Sequence, residues 1–312
     1  MSAILDQHLH DYLTIRRSVG FNLDRTEKLL GQFLDHLADH DLTRITTDAA
    51  IAWASTPEAA DTNWWAQRLS VVRCFARHLH VIDPSHEVPP PGVFPTRANR
   101  AVPYIYTDAE ISALMAAAAR LRSPLRATTH ETLIGLLAVT GLRIGEALSL
   151  DRSDFDPAAG VLHVRNSKFN KSRHVPILSC ASDALAAYGE RRDNLCPTPV
   201  DPALFLSTAG TRLLYCNFHH TWLGLIETAG LPARSGSCRP RPHDLRHRFA
   251  VVTLQGWYRD GVDVQANLAL LSTYLGHTDV AHTYWYLTGT PELLAIIAER
   301  LDNTGPTAGV AS

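Results

Sequence analysis

Three short stretches set cationic side chains where they could handle a phosphate. In "PHDLRHRF", His243 and Arg246 stand three residues apart, so on a helix they share a face. Pro242 suits a first helical turn, which puts the pair beside a helix N-terminus that attracts anions; an ordinary basic helix start looks the same. In "TGLRIGEAL", Gly141 ends an apolar run and Arg143 opens the next helix between Leu142 and Ile144. A sheltered arginine needs a partner, here either Glu146 or a phosphate. In "NSKFNKSR", a hairpin tip offers Lys168 and Lys171. A loop lysine can donate a proton, and it can equally serve solubility and protection of a strand edge.

A fourth stretch, "LGHTDVAHTYWYL", supplies a hydroxyl. Gly276 fits a helix C-cap and Asp279 an N-cap for the run that follows. Val280, Thr283, Tyr284 and Leu287 recur at helical spacing and form the face that packs inward. At 100° per residue, Tyr286 lies about 200° around from Tyr284. Tyr284 is then the core aromatic and Tyr286 the hydroxyl left for chemistry.

The elements that must hold these groups are mostly helical. Residues 4–83 read as helices: "DQHLHDYLTIRRSVG" closes on Gly20, and Leu29, Leu30, Phe33, Leu34 and Leu37 make one stripe. In "TNWWAQRLSVVRCFARHLHVI", Val71, Val72, Phe75, Ala76 and Leu79 form an apolar stripe, while Arg73, Arg77 and His80 fall on another. The second stripe is either a solvated face or a row laid on phosphates. The proline-rich run 86–105 excludes helix and central strand and reads as an extended linker, with Arg97 and Arg100 adding positive charge. Thr107 or Asp108 then caps a new helix. The period changes at "GVLHVRNSKFNKSRHVPIL", which predicts strands over 161–165 and 173–177; "ALFLS" is a further short strand. Helices resume through Gly230, "PHDLRHRFAVVTLQGW", "VQANLALLSTYLG" and a tail helix ending near Leu301. The domains predicted are 1–92, a linker 93–103, a second domain 104–302, and an unstructured tail 303–312.

Bulk composition bounds the classes. A chain of 312 residues suggests two domains of about 150 residues. With 46% apolar and 19% charged residues it reads as globular, without a signal peptide or membrane span. Five scattered cysteines with no CxxC pair predict thiols in a reducing cytoplasm, not a disulfide frame. The net charge of −2 neither advertises nor forbids nucleic-acid binding. The sixteen histidines show no HExxH or Cys/His spacing, so no metal and no cofactor is predicted.

Taken in order, "TGLRIGEALSL", the Lys168 hairpin, "HDLRHRF" and "LGHTDVAHTYWYL" resemble the motifs of the tyrosine recombinase, or phage integrase, family. The resemblance covers about residues 104–300; the N-terminal helices match the family's core-binding domain in size and helical character alone. It implies a mainly α fold with a small antiparallel β-sheet, in two domains: a helical core-binding domain and an α+β catalytic domain. By position it implies Arg143, Lys168, His243, Arg246, His277 and Tyr286 as the catalytic set. Lys168 is chosen because "KFNKSRHVPI" resembles the family's "KGxKxRxVPL", and Tyr286 because it stands nine positions beyond His277. Asp244 is a modest variation. The implied activity is site-specific DNA strand cleavage and rejoining through a 3′-phosphotyrosyl link, without metal. The implied partner is double-stranded DNA, held by a homo-tetramer on two sites that is a monomer or weak oligomer without DNA. Arg68, Arg73, Arg77, His80, Arg97 and Arg100 become candidate DNA contacts. "TYWYLTGTPELL" is of the sort seen in transposon-borne recombinases that act beside companions. The implied location is a bacterial cytoplasm. Rival readings are a type IB topoisomerase-like enzyme and an accessory DNA-binding subunit.

Overall fold

The computed structural model describes residues 2–96, 101–167, 171–276, 279 and 283. The chain divides into two compact units, Met1–Arg100 and Ala101–Ser312. Among the described residues no helix is long and apolar enough to cross a membrane.

Among the described residues the first unit is four helices, α1 (Ser2–Ser18), α2 (Asp24–Asp39), α3 (Thr47–Ser55) and α4 (Thr62–Ile82). Their starts follow from local chemistry: the Thr46 hydroxyl accepts from Ala49 N–H and the Asp61 carboxylate from Trp64 N–H. The expected stripes meet in one core of Leu30, Phe33, Leu37, Trp53, Val72, Phe75 and Leu79. Val93 and Phe94 also pack there, and the Phe94 ring meets Trp65 edge-on at 5.6 Å. These two apolar side chains find a core to bury in.

The second unit opens with α5 (Asp108–Ala119), whose capping box joins Thr107 and Glu110 reciprocally. Helix α6 (Pro124–Thr140) runs through its centre and ends on Gly141 in the left-handed conformation. Helix α7 (Ile144–Ser149) leads to a three-stranded antiparallel sheet in the order β1 (Phe155–Asp156), β2 (Val161–Ser167), β3 (Lys171–Pro176). The hairpin strands reach closer to the tip than the sequence suggested, with a register irregularity between Val164 and Ser167. Helices α8 (Ser179–Leu195), α9 (Tyr215–Thr228), α10 (His243–Arg259) and α11 (Val264–Leu275) complete the described elements.

"ALFLS" is not a strand; it contributes isolated bridges at Ala203 and Leu206. Its carbonyls are claimed by side chains: Arg192 donates to Ala203 O at 2.7 Å and Leu204 O at 3.1 Å, and the Tyr188 hydroxyl donates to Leu204 O. The expected tail helix, the tail 303–312 and most of the "VAHTYWYL" helix lie outside the described residues. Thr283, the described member of its inward face, is fully buried.

Candidate active site

The site is built at three chain turns. Gly141, at φ 60°, swings the chain out of α6 and leaves Arg143 as the residue before α7. A side chain at Gly141 would meet the Phe249 ring at 2.6 Å, so the turn is pressed against α10. Helix α10 starts directly after Pro242, putting His243 in its first turn and Arg246 one turn further in. The start is pinned by Asp244, fully buried, whose carboxylate accepts from Arg241 N–H and from both ends of the Arg241 guanidinium. The variation at Asp244 is thus a structural anchor. The third turn is Gly276, left-handed at φ 69°, which ends α11.

The last carbonyls of a helix lack intrahelical donors, and here arginines supply them. Arg246 is 1% exposed and donates to Gly141 O and Leu275 O, each at 2.8 Å. Arg143 donates to Leu275 O at 3.4 Å and Gly276 O at 3.1 Å. A third guanidinium, Arg173 of β3, donates to Tyr274 O at 2.9 Å. Glu146, 7% exposed, is the carboxylate among them. It accepts from Arg143 Nη1 at 2.9 Å and from Arg173 at 2.9 and 3.1 Å, and its Oε2 also takes Arg143 N–H at 3.0 Å. Burial alone would raise the Glu146 carboxyl, but Arg173 and Arg143 outweigh it and hold it below the usual carboxylate range. Among the described residues, three cations against one carboxylate leave the cluster positive, a setting suited to a phosphodiester.

His243 is exposed and lies beside His247, whose ring meets it edge-on at 5.0 Å. Protein packed around the ring, then His247, Arg246 and Arg143, push its pKa down, with Asp244 opposing. The imidazole is therefore neutral near pH 7 and can accept a proton. Burial likewise takes His247 down to about 4. Tyr274 is a poor nucleophile: its hydroxyl donates to Pro176 O at 3.2 Å and burial pushes its pKa up to about 12.

The structure thus brings together Arg143, His243 and Arg246. Lys168, His277, Tyr286, Tyr284, Arg97 and Arg100 lie outside the described residues. The other expected DNA contacts separate. Arg68 is 8% exposed, stacks over Trp53 at 3.8 Å and donates to Trp53 O at 2.6 Å. That corrects its expected place on a DNA-facing surface, because its guanidinium is used inside the helical core. Arg73 donates to Pro89 O and Pro90 O, each at 2.8 Å, tying α4 to the proline run. His80 is exposed, and its Nδ1 bonds His86 O at 2.6 Å. Arg77 is exposed.

The sequence reading missed Arg173. Its signal was available: Arg173 and Val175 alternate onto the inward face of β3, and an inward arginine needs a buried partner.

A family model described as the phage integrase family matches residues 105–292. A Sinorhizobium fredii protein whose name marks it as an integrase/recombinase is 42% identical, over 95% of this chain and 96% of its own. Tyrosine recombinase XerC of Herpetosiphon aurantiacus is 27% identical, over 92% of this chain and 90% of its own. Among solved structures, the Tn1549 transposon integrase in complex with transposon right end DNA superposes with a TM-score of 0.62 at 18% identity, covering 95% of this chain and 99% of that one. That likeness shows a shared fold.

Proposed function

Because the chain belongs to the phage integrase family of tyrosine recombinases, we propose that it cleaves and rejoins double-stranded DNA at specific sites through a 3′-phosphotyrosyl intermediate. The observation that carries this reading is the meeting of Arg143 and Arg246 at the Leu275 carbonyl, where the chain leaves α11 toward His277 and Tyr286.

In this reading the Tyr286 hydroxyl attacks a backbone phosphorus and the 5′-oxygen leaves. The phosphotyrosyl bond keeps the energy of the broken linkage, so a 5′-hydroxyl can reverse the step without a high-energy cofactor. A tyrosine hydroxyl has a pKa of about 10 and needs help to ionise. His243, held neutral, takes its proton. Arg143 and Arg246 bind the nonbridging oxygens and neutralise charge as it grows, a role for which planar guanidinium forks are suited. Lys168 protonates the leaving oxygen, and His277 donates a hydrogen bond to the phosphate. With the charge met by arginines, no step calls for a divalent metal.

The substrate is DNA of a mobile element. This rests on the Sinorhizobium relative's integrase/recombinase name and on the fold shared with a transposon integrase. Strand exchange needs two DNA sites, and a homo-tetramer with one active site per strand meets that need; companion recombinases fit the same scheme.

The test is covalent trapping. Nicked duplexes tiling the DNA on both sides of the gene, which block rejoining, are incubated with wild type, Tyr286→Phe and Tyr284→Phe. A denaturing gel should show an adduct that disappears with Tyr286→Phe alone. Loss with Tyr284→Phe alone would reassign the nucleophile, and no adduct from wild type on any duplex would overturn the recombinase reading.

A further inference from the structure

We propose that Arg173 is a positioning residue for strand cleavage, acting through Glu146 on Arg143; the inference rests on the recombinase reading. The guanidinium of Arg173 forms a two-pronged pair with Glu146, Nη1 to Oε1 at 3.1 Å and Nη2 to Oε2 at 2.9 Å. Its Nε donates to Tyr274 O at 2.9 Å. These bonds point into the protein frame, and the side chain is 13% exposed. Arg143 is more open, at 28%, and touches the same Glu146 through Nη1. Glu146 therefore transmits the position of one arginine to the other.

The geometry joins three segments. Arg173 lies on β3, the strand that follows the hairpin turn. Glu146 and Arg143 belong to the start of α7. Tyr274 is in the last turn of α11, a few residues before His277. Gly276 completes the joint, because a side chain there would come within 2.7 Å of Arg173 Nη1. Without Arg173, Glu146 is held, among the described residues, by Arg143 alone and draws that guanidinium toward itself and away from a phosphate. Losing a group that orients a phosphate-binding arginine costs about 10- to 100-fold in rate.

The experiment measures adduct formation on the nicked duplex that wild type cleaves, and on the same duplex with a methylphosphonate at the scissile position. That linkage lacks the anionic oxygen that Arg143 binds. Arg173→Ala should slow cleavage of the phosphate about 10- to 100-fold and of the methylphosphonate only a few-fold. Arg143→Ala/Arg173→Ala should be no slower on phosphate than Arg143→Ala. Equal slowing on both linkages would show a merely structural role, and multiplying losses in the double variant an independent one; either overturns the proposal. Should Arg173→Ala not fold, by thermal midpoint, Arg173→Lys carries the same comparison, since a lysine cannot form the two-pronged pair; a wild-type rate for it overturns the proposal. If wild type forms no adduct on any tiled duplex, the recombinase reading itself fails, a result separate from the outcomes above.

Discussion

Arg143 and Arg246 donate to one oxygen, the carbonyl of Leu275, at 3.4 and 2.8 Å. They reach it from different depths. Arg246 is buried and also holds Gly141 O, whereas Arg143 keeps part of its surface open. The two arginines should therefore differ when removed. Arg143→Ala should lower adduct formation about 100-fold or more with little change in thermal midpoint. Arg246→Ala should lower both, because Gly141 O and Leu275 O lose buried donors at about 1–3 kcal/mol each. Adduct gels and thermal unfolding of the same preparations decide it, and equal midpoints for the two variants would refute the division.

Gly276 should resist substitution for two reasons at once. Its φ of 69° is strained for any side chain, and an added Cβ would clash with Arg173 at 2.7 Å. Gly230, in the same unit, has φ 66° and nothing within 4 Å, so Gly230→Ala reports the backbone cost alone, about 1–2 kcal/mol. Gly276→Ala should cost at least about 1 kcal/mol more in denaturant unfolding. Equal losses would mean that Arg173 moves aside freely.

Much of this was legible in the sequence. The start of α5 was readable because Thr107 caps it through its own side chain, and the turn at Gly141 because glycine alone tolerates that geometry in a tight contact. His243 and Arg246 were readable from helical spacing, as was the choice offered for Arg143, which takes Glu146. The illegible parts depend on contacts between distant residues. "ALFLS" has strand-like composition, and only the fold reveals that Arg192 and Tyr188 take its carbonyls. Arg68 and Arg77 look alike on paper; whether an arginine faces Trp53 or solvent is a property of packing. Arg173 was read past because a basic residue in a polar hairpin has an ordinary explanation.

Arg68 and Arg77 should separate stability from DNA affinity. Arg68 stacks over Trp53 and donates to Trp53 O, so Arg68→Ala should destabilise the first unit by about 2 kcal/mol. Arg77 is exposed, and its proposed partner is a DNA phosphate. Arg77→Ala should leave stability unchanged, weaken DNA binding across sequences, and reduce the slope of log affinity against log salt by about 1. Binding titrations at several salt concentrations check this; an unchanged slope removes Arg77 from the interface.

Acid should weaken the second unit through His130. This imidazole is 2% exposed, its Nδ1 bonds Arg126 O at 2.8 Å, and its Nε2 is buried with no partner among the described residues. Burial pushes its pKa down to about 4. In the unfolded chain a histidine titrates near pH 6.5. Between these values the unfolded state binds the proton and the folded state does not, so stability falls as pH drops from about 6.5 and the loss is complete near 4. Above pH 6.5 both states are neutral and the residue contributes no pH dependence. The full loss is roughly 3 kcal/mol for this site. His130→Phe keeps a ring against Phe218, which the imidazole stacks on at 5.8 Å, and removes the titration. Denaturant unfolding from pH 4 to pH 7 should give a shallower pH slope for the variant than for wild type, and superimposable slopes would show that His130 takes up its proton without unfolding.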